Sequence, residues 1–150
     1  HEFIKAAYDY QDNTFHSHPG YYIDYFEMRL AQLQVLHNLH YEIKKIRKMP
    51  KQALVIADYI MYMADYVVEM NIPDQQIEKL EEISEQMKQE ELPKTREEFE
   101  GRAPLYHILM VLEEFLVYKK RFVNGLDEKK LRIYWKQEME QKDSANELQK

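Results

Sequence analysis

A chain of 150 residues is the length of one domain, and its formal net charge of −6 argues against nucleic acid as the main partner. It contains no cysteine, which excludes a disulfide framework and thiolate chemistry, and only 3 Gly and 5 Pro, which favours long helices over a turn-rich β fold. No apolar run approaches the ~18 residues that cross a bilayer and no signal peptide is visible, and a start at His1 suggests an excised segment.

In chain order, Glu2 to Phe15 carries Phe3, Ala7 and Tyr10 at helical spacing and predicts a first short helix. His16-Ser17-His18-Pro19-Gly20 breaks it, as an exposed loop or, less readily, half of a metal site that lacks a third ligand. Tyr21 to Lys48 predicts a long helix with Ile23, Phe26, Leu30, Leu33, His37 and His40 spaced by threes and fours. Leu36, Leu39, Ile43 and Ile46 widen that face, and Met49-Pro50 ends the helix, because a residue before proline avoids helical dihedrals.

Lys51 to Met70 predicts the next helix, with Ala53, Ile56, Ala57, Ile60, Ala64 and Val67 inward and Asp58, Tyr62, Asp65 and Glu69 on a second face. Asn71-Ile72-Pro73 punctuates the chain before a shorter helix from Asp74 to Glu90, with a stripe of Ile77, Leu80, Ile83 and Met87. Thr95 to Asn124 predicts the longest helix, opened by a Thr95–Glu98 capping box and continued by Leu105, Ile108, Leu109, Leu112, Phe115, Leu116 and Phe122. Phe99, Ala103, Tyr106 and Met110 also line one side, and Pro104 suggests a mild kink. Gly125 suits a helix stop and Asp127 an N-cap for a last helix with Leu131, Tyr134, Trp135 and Met139, before a tail expected to fray from Gln141.

The architecture expected is all-α: an antiparallel bundle of four principal helices plus short N- and C-terminal helices, forming one domain over residues 1–150. The basic clusters Lys44-Lys45-Ile46-Arg47-Lys48 and Lys119-Lys120-Arg121 lie near helix ends. Solvated cations favourable to the helix dipole account for them, with a phosphate or anionic-lipid site as the alternative.

Arg102 falls between Phe99 and Tyr106, where a buried arginine needs a partner. Counting along antiparallel helices at ~1.5 Å per residue sets Arg102, His40 and Tyr41 level with Asp58, and His37, Tyr106 and His107 level with Tyr62. The expectation is a polar layer of Asp58, Arg102, His40 and Tyr41 grading into His37, Tyr62 and Tyr106. Such a layer either fixes helix register or holds a small aromatic carboxylate, clamped by Arg102 and packed by tyrosines. The rival is a metal-dependent bundle enzyme using His37, His40 and His107, though Glu-x-x-His is absent and with it the di-iron pattern. Nucleophile motifs and Gly-rich phosphate loops are also missing, so neither catalysis nor a cofactor is expected.

The run Leu92-Pro93-x-Thr95-Arg96-x-Glu98-Phe99-Glu100-x-Arg102-Ala103, followed by Leu112-Glu113-x-Phe115-Leu116 and Lys119 to Phe122, resembles a known family. It is similar to the C-terminal domain of bacterial membrane proteins called putative aromatic acid exporters, family one, and Gly101 and Pro104 depart from its pattern. The resemblance implies a soluble helical domain following an N-terminal transmembrane region, its principal partner, on the cytoplasmic side of the cell membrane. It further implies a part in sensing an aromatic acid or in assembly, including formation of a homo-oligomer. It supplies no functional residues.

Overall fold

The computed structural model describes residues 19–46, 48–135, 144 and 147–149, and the backbone alone at 132 and 134. Among the described residues five helices follow one another: α1 Pro19–Lys44, α2 Ala53–Ala64, α3 Asp74–Lys88, α4 Arg96–Asn124 and α5 Glu128–Tyr134. No strand occurs among the described residues, and no helix there is long and apolar enough to cross a membrane. The expected helix at Glu2–Phe15, residues His16–His18 of the expected break and Met139 lie outside the described residues, whereas Pro19 and Gly20, expected in that break, open α1.

Helix α4 is the hub, because α1, α2 and α3 all pack against it. Contacts between α1 and α4 run from Tyr21 beside Phe122 through Gln32 at the Phe115 carbonyl to Glu42 beside His107. Falling numbers on one helix meet rising numbers on the other, so the pair is antiparallel. The same holds for α3 on α4, where Lys120 meets Asp74 and Tyr106 meets Met87. It holds again for α2 and α3, through Tyr59 with Gln76 and Gln52 with Glu90. The all-α bundle read from the sequence is therefore present.

Local signals in α3 and α4 behave as expected. Leu80, Ile83 and Met87 bury one stripe of α3. Leu105, Ile108, Leu109, Leu112, Phe115 and Leu116 bury the core stripe of α4. Thr95 Oγ1 accepts from the Glu98 backbone N–H at 3.1 Å, but the Glu98 carboxylate reaches back to the Lys94 N–H rather than to that of Thr95. Asp127 caps α5 by accepting from the Lys130 N–H at 2.7 Å. Gly125 ends α4 at φ −77°, a dihedral open to any residue.

Helix α2 is shorter than expected, and residues 65–73 form turns rather than helix. Tyr59 and Met63 complete its buried face with Ala53 and Ile56, while Ala57, Ala64 and Val67 face outward. Tyr59 wins the interior because its hydroxyl donates to the Gln76 carbonyl at 2.6 Å, which satisfies its polar end. Burial raises its phenol pKa well above the usual tyrosine value.

The largest correction concerns α1. Its buried face is Tyr21, Met28, Gln32, Val35, Leu39 and Glu42. The expected inward stripe of Ile23, Phe26, Leu30, Leu33, His37 and His40 lies on the opposite side, exposed. Both stripes keep helical spacing, and partners decide between them. Gln32 is admitted because its amide donates to the Phe115 carbonyl at 2.9 Å, and Glu42 because Lys45 and His107 meet its carboxylate at 3.1 Å each.

Candidate functional site

The expected polar layer does not form. No ion pair joins Arg102 to Asp58 among the described residues: Asp58 is exposed on α2, and the half-buried Arg102 guanidinium donates to the Glu91 carbonyl. The reason is the rotation of α4. Its core stripe runs through Leu105 and Ile108, which turns Phe99, Ala103, Tyr106 and Met110 outward. His37 and Tyr41 touch edge to face at 5.0 Å on the exposed side of α1, with His40 exposed nearby. Tyr62 lies elsewhere, between Tyr59 and Tyr66 and under the Lys79 ammonium at 3.8 Å from its ring centre.

The three-histidine arrangement fails for a similar reason. His107 Nδ1 sits 3.1 Å from Glu42, on the side of α1 that meets α4, whereas His37 and His40 face away from it. Among the described residues no three His, Asp or Glu side chains gather as metal ligands would.

Arg102 and Tyr106 do share one feature, an open groove of about 420 Å³ between the start of α4 and the 88–93 turn, lined also by Leu92, Pro93, Phe99 and Ala103. The Tyr106 hydroxyl donates to the Met87 carbonyl at 3.3 Å. Glu90 and Glu91 line the same groove and oppose an incoming anion, while Lys88 beside them favours one.

A second polar centre escaped the sequence reading. Lys119 was expected to be a solvated cation near a helix end, yet it is 4% exposed. Its ammonium donates to the carbonyls of Val68 at 2.7 Å and Glu69 at 2.6 Å, pinning the turn after α2, and stands 5.5 Å from the centre of the Trp135 ring. Nearby, the Tyr21 hydroxyl donates to the Glu69 carboxylate at 2.8 Å and accepts from the Trp135 indole N–H at 3.0 Å. Burial, chiefly, raises the Tyr21 pKa; the Glu69 carboxylate adds to that and the Trp135 bond offsets part of it. The available signal was periodicity, since Leu112, Phe115, Lys119 and Phe122 share one stripe.

Beside this centre a partly open pocket of about 10 Å³ lies among Gln32, Asn71, Gln76 and Lys119, room for a single water. A shallow groove of about 300 Å³ runs outside it between α1 and Val67–Val68, lined by Tyr25, Arg29, Leu33 and Leu36. Arg29 is already engaged there, with Tyr25 at 3.0 Å and Gln32 at 2.7 Å. A further surface feature is the outer side of α1, where Leu30 is 65% exposed and Leu33 61%, with Ile23, Phe26 and Tyr41 also exposed on that helix.

These features describe an all-helical domain with a filled interior and a long apolar face. The chain matches the family described as "Putative aromatic acid exporter C-terminal domain" over residues 1–120, and it belongs to that family. Among curated proteins it is similar to the uncharacterized protein YqjA of Bacillus subtilis (strain 168), 29% identical over 118 residues. That match covers 79% of this chain and 37% of the relative, so the chain spans little more than a third of the relative's length. No solved structure matches it.

Proposed function

We propose that this domain is the assembly module of a larger aromatic-acid-exporter-type membrane protein. It sits on the cytoplasmic side, has no catalysis of its own, and uses α1 to dock a partner helix. The carrying observation is that, among the described residues, α4 is the helix that packs along α1, and a stripe from Ile23 to Tyr41 is exposed opposite the buried face. A monomer rarely leaves a contiguous apolar patch of this kind without an interaction to serve. The space beside Lys119 supports the same reading, because about 10 Å³ is too small for an aromatic acid.

The test is a pair of charge substitutions, Leu30→Glu with Leu33→Glu, in the intact membrane protein. Both side chains are exposed, so the fold and thermal stability of the 150-residue chain are expected to persist. The detergent-solubilised parent protein is expected to lose its assembled size. Unchanged assembly would overturn the proposal.

A second reading, sensing of an aromatic carboxylate, is favoured by the groove in which Arg102 lies among Leu92, Phe99 and Tyr106. A ligand held there at 100 times its Kd would add about 2.7 kcal/mol of apparent stability. Thermal-shift titration with benzoate and 4-hydroxybenzoate decides it. A shift abolished by Arg102→Gln supports sensing, and no shift with either acid rejects it.

A further inference from the structure

The exposed face of α1 has an internal order that identifies its occupant. Ile23, Phe26, Leu30, Leu33, His37 and His40 follow each other at intervals of 3, 4, 3, 4 and 3 residues. That is the spacing of a coiled-coil seam, in which two helices bury a continuous line of side chains. The core side of the helix is already occupied by α4, so the seam is a second, independent interface.

The seam is also symmetric end to end. About a centre between Leu30 and Leu33, an antiparallel copy of α1 sets Leu30 against Leu33, Phe26 against His37 and Ile23 against His40. The flanking positions agree: Tyr22 falls beside Ile43, Arg29 beside Leu36, and Glu27 beside Gln34, with no like charges opposed. A parallel copy would instead set each histidine against itself.

Size and charge point to the same occupant. At about 200 Å² per large side chain, the exposed fractions of Ile23, Phe26, Leu30, Leu33, Leu36, Tyr41 and Ile43 amount to roughly 700 Å². A stable interface takes about 800 Å² from each partner. The chain carries a net charge of −6, yet no carboxylate stands on the seam itself, so two copies can meet there without direct repulsion.

We infer that α1 pairs with α1 of a second copy, antiparallel and centred between Leu30 and Leu33, giving a two-fold dimer. This rests on the docking role proposed above and names its partner. The chain has no cysteine, so introduced thiols report the register without background. Phe26→Cys and His37→Cys are made in separate preparations of the 150-residue chain, mixed, and oxidised. Two copies of position 26 lie ~16 Å apart in the antiparallel pair at ~1.5 Å per residue, beyond disulfide reach, while positions 26 and 37 face each other. The expected result is a cross-linked dimer in the mixture and none in either preparation alone. Ile23→Cys with His40→Cys repeats the test at the seam's ends, should one pair disturb packing.

Cross-linking of each variant to itself would replace this pairing with a parallel one and overturn the inference. A monomeric mass with no cross-link in any mixture would also overturn it. If Leu30→Glu with Leu33→Glu still disrupted the parent protein's assembly in that case, the docking role would stand with a different occupant. Failure of both would remove the docking role itself.

Discussion

Replacing Lys119 with methionine keeps an unbranched stem of nearly the same length and removes the ammonium. In the folded chain that ammonium serves the Val68 and Glu69 carbonyls at 2.7 and 2.6 Å from a position 4% exposed. A hydrogen bond from a charged donor contributes about 1.5–3 kcal/mol, and burying the cation costs several kcal/mol in return. The carbonyls belong to the turn and stay where they are, so the substitution orphans them instead of replacing a whole polar pair by apolar groups. Two acceptors stripped of their donor, partly recovered by water, cost about 2–4 kcal/mol. For a chain of this length, at ~2–4 °C per kcal/mol, the melting temperature should fall by roughly 5–15 °C. Thermal unfolding followed by circular dichroism measures this, and amide exchange should quicken first at residues 65–73. A variant at least as stable as the parent, with unchanged exchange there, would refute the view that Lys119 holds the turn.

Three further outcomes follow from the same structure. Leu112→Ala, at a position 1% exposed in the centre of α4, should cost about 2–5 kcal/mol in denaturant unfolding through lost burial and the cavity left behind. Thr95→Ala removes the acceptor for the Glu98 N–H and should cost about 1 kcal/mol, with faster amide exchange confined to the first turn of α4. Glu42 is held below the ordinary glutamate value of 4.5, chiefly by the Lys45 hydrogen bond; burial, next in size, opposes it, and His107 adds to the lowering. A depressed carboxylate contributes stability above its unfolded pKa and loses it as pH falls through the folded value. Glu42→Gln should therefore be less stable than the parent at pH 6, with the gap closing as both are titrated below about pH 4; a gap constant with pH would exclude the ionised form as its source.

What the sequence disclosed, and what it hid, follows from the range of the interactions. Thr95, Asp127 and the Leu80–Ile83–Met87 stripe were legible because a cap or a narrow amphipathic face is decided within one or two helical turns. The inward face of α1 was not. Its apolar residues surround the helix, so periodicity has no strong direction, and the choice falls to distant partners such as the Phe115 carbonyl and His107. The same partners explain why Gln32 and Glu42 are buried while Leu30 and Leu33 are not. Arg102 was misplaced because Phe99 and Tyr106 suggested an inward line, whereas the longer run from Leu105 to Phe122 sets the rotation of α4. Lys119 was hidden by its neighbours Lys120 and Arg121, which made one core position look like part of a solvated cluster.

In the parent protein the outer side of α1 should be covered. The direct measurement is thiol labelling of Leu30→Cys, with Glu97→Cys as an exposed reference, in membranes carrying the intact protein with any other cysteine replaced. Position 30 should react much more slowly than position 97 there, and about as fast as it in the dilute 150-residue chain. Equal, rapid labelling of both positions in the membranes would contradict it.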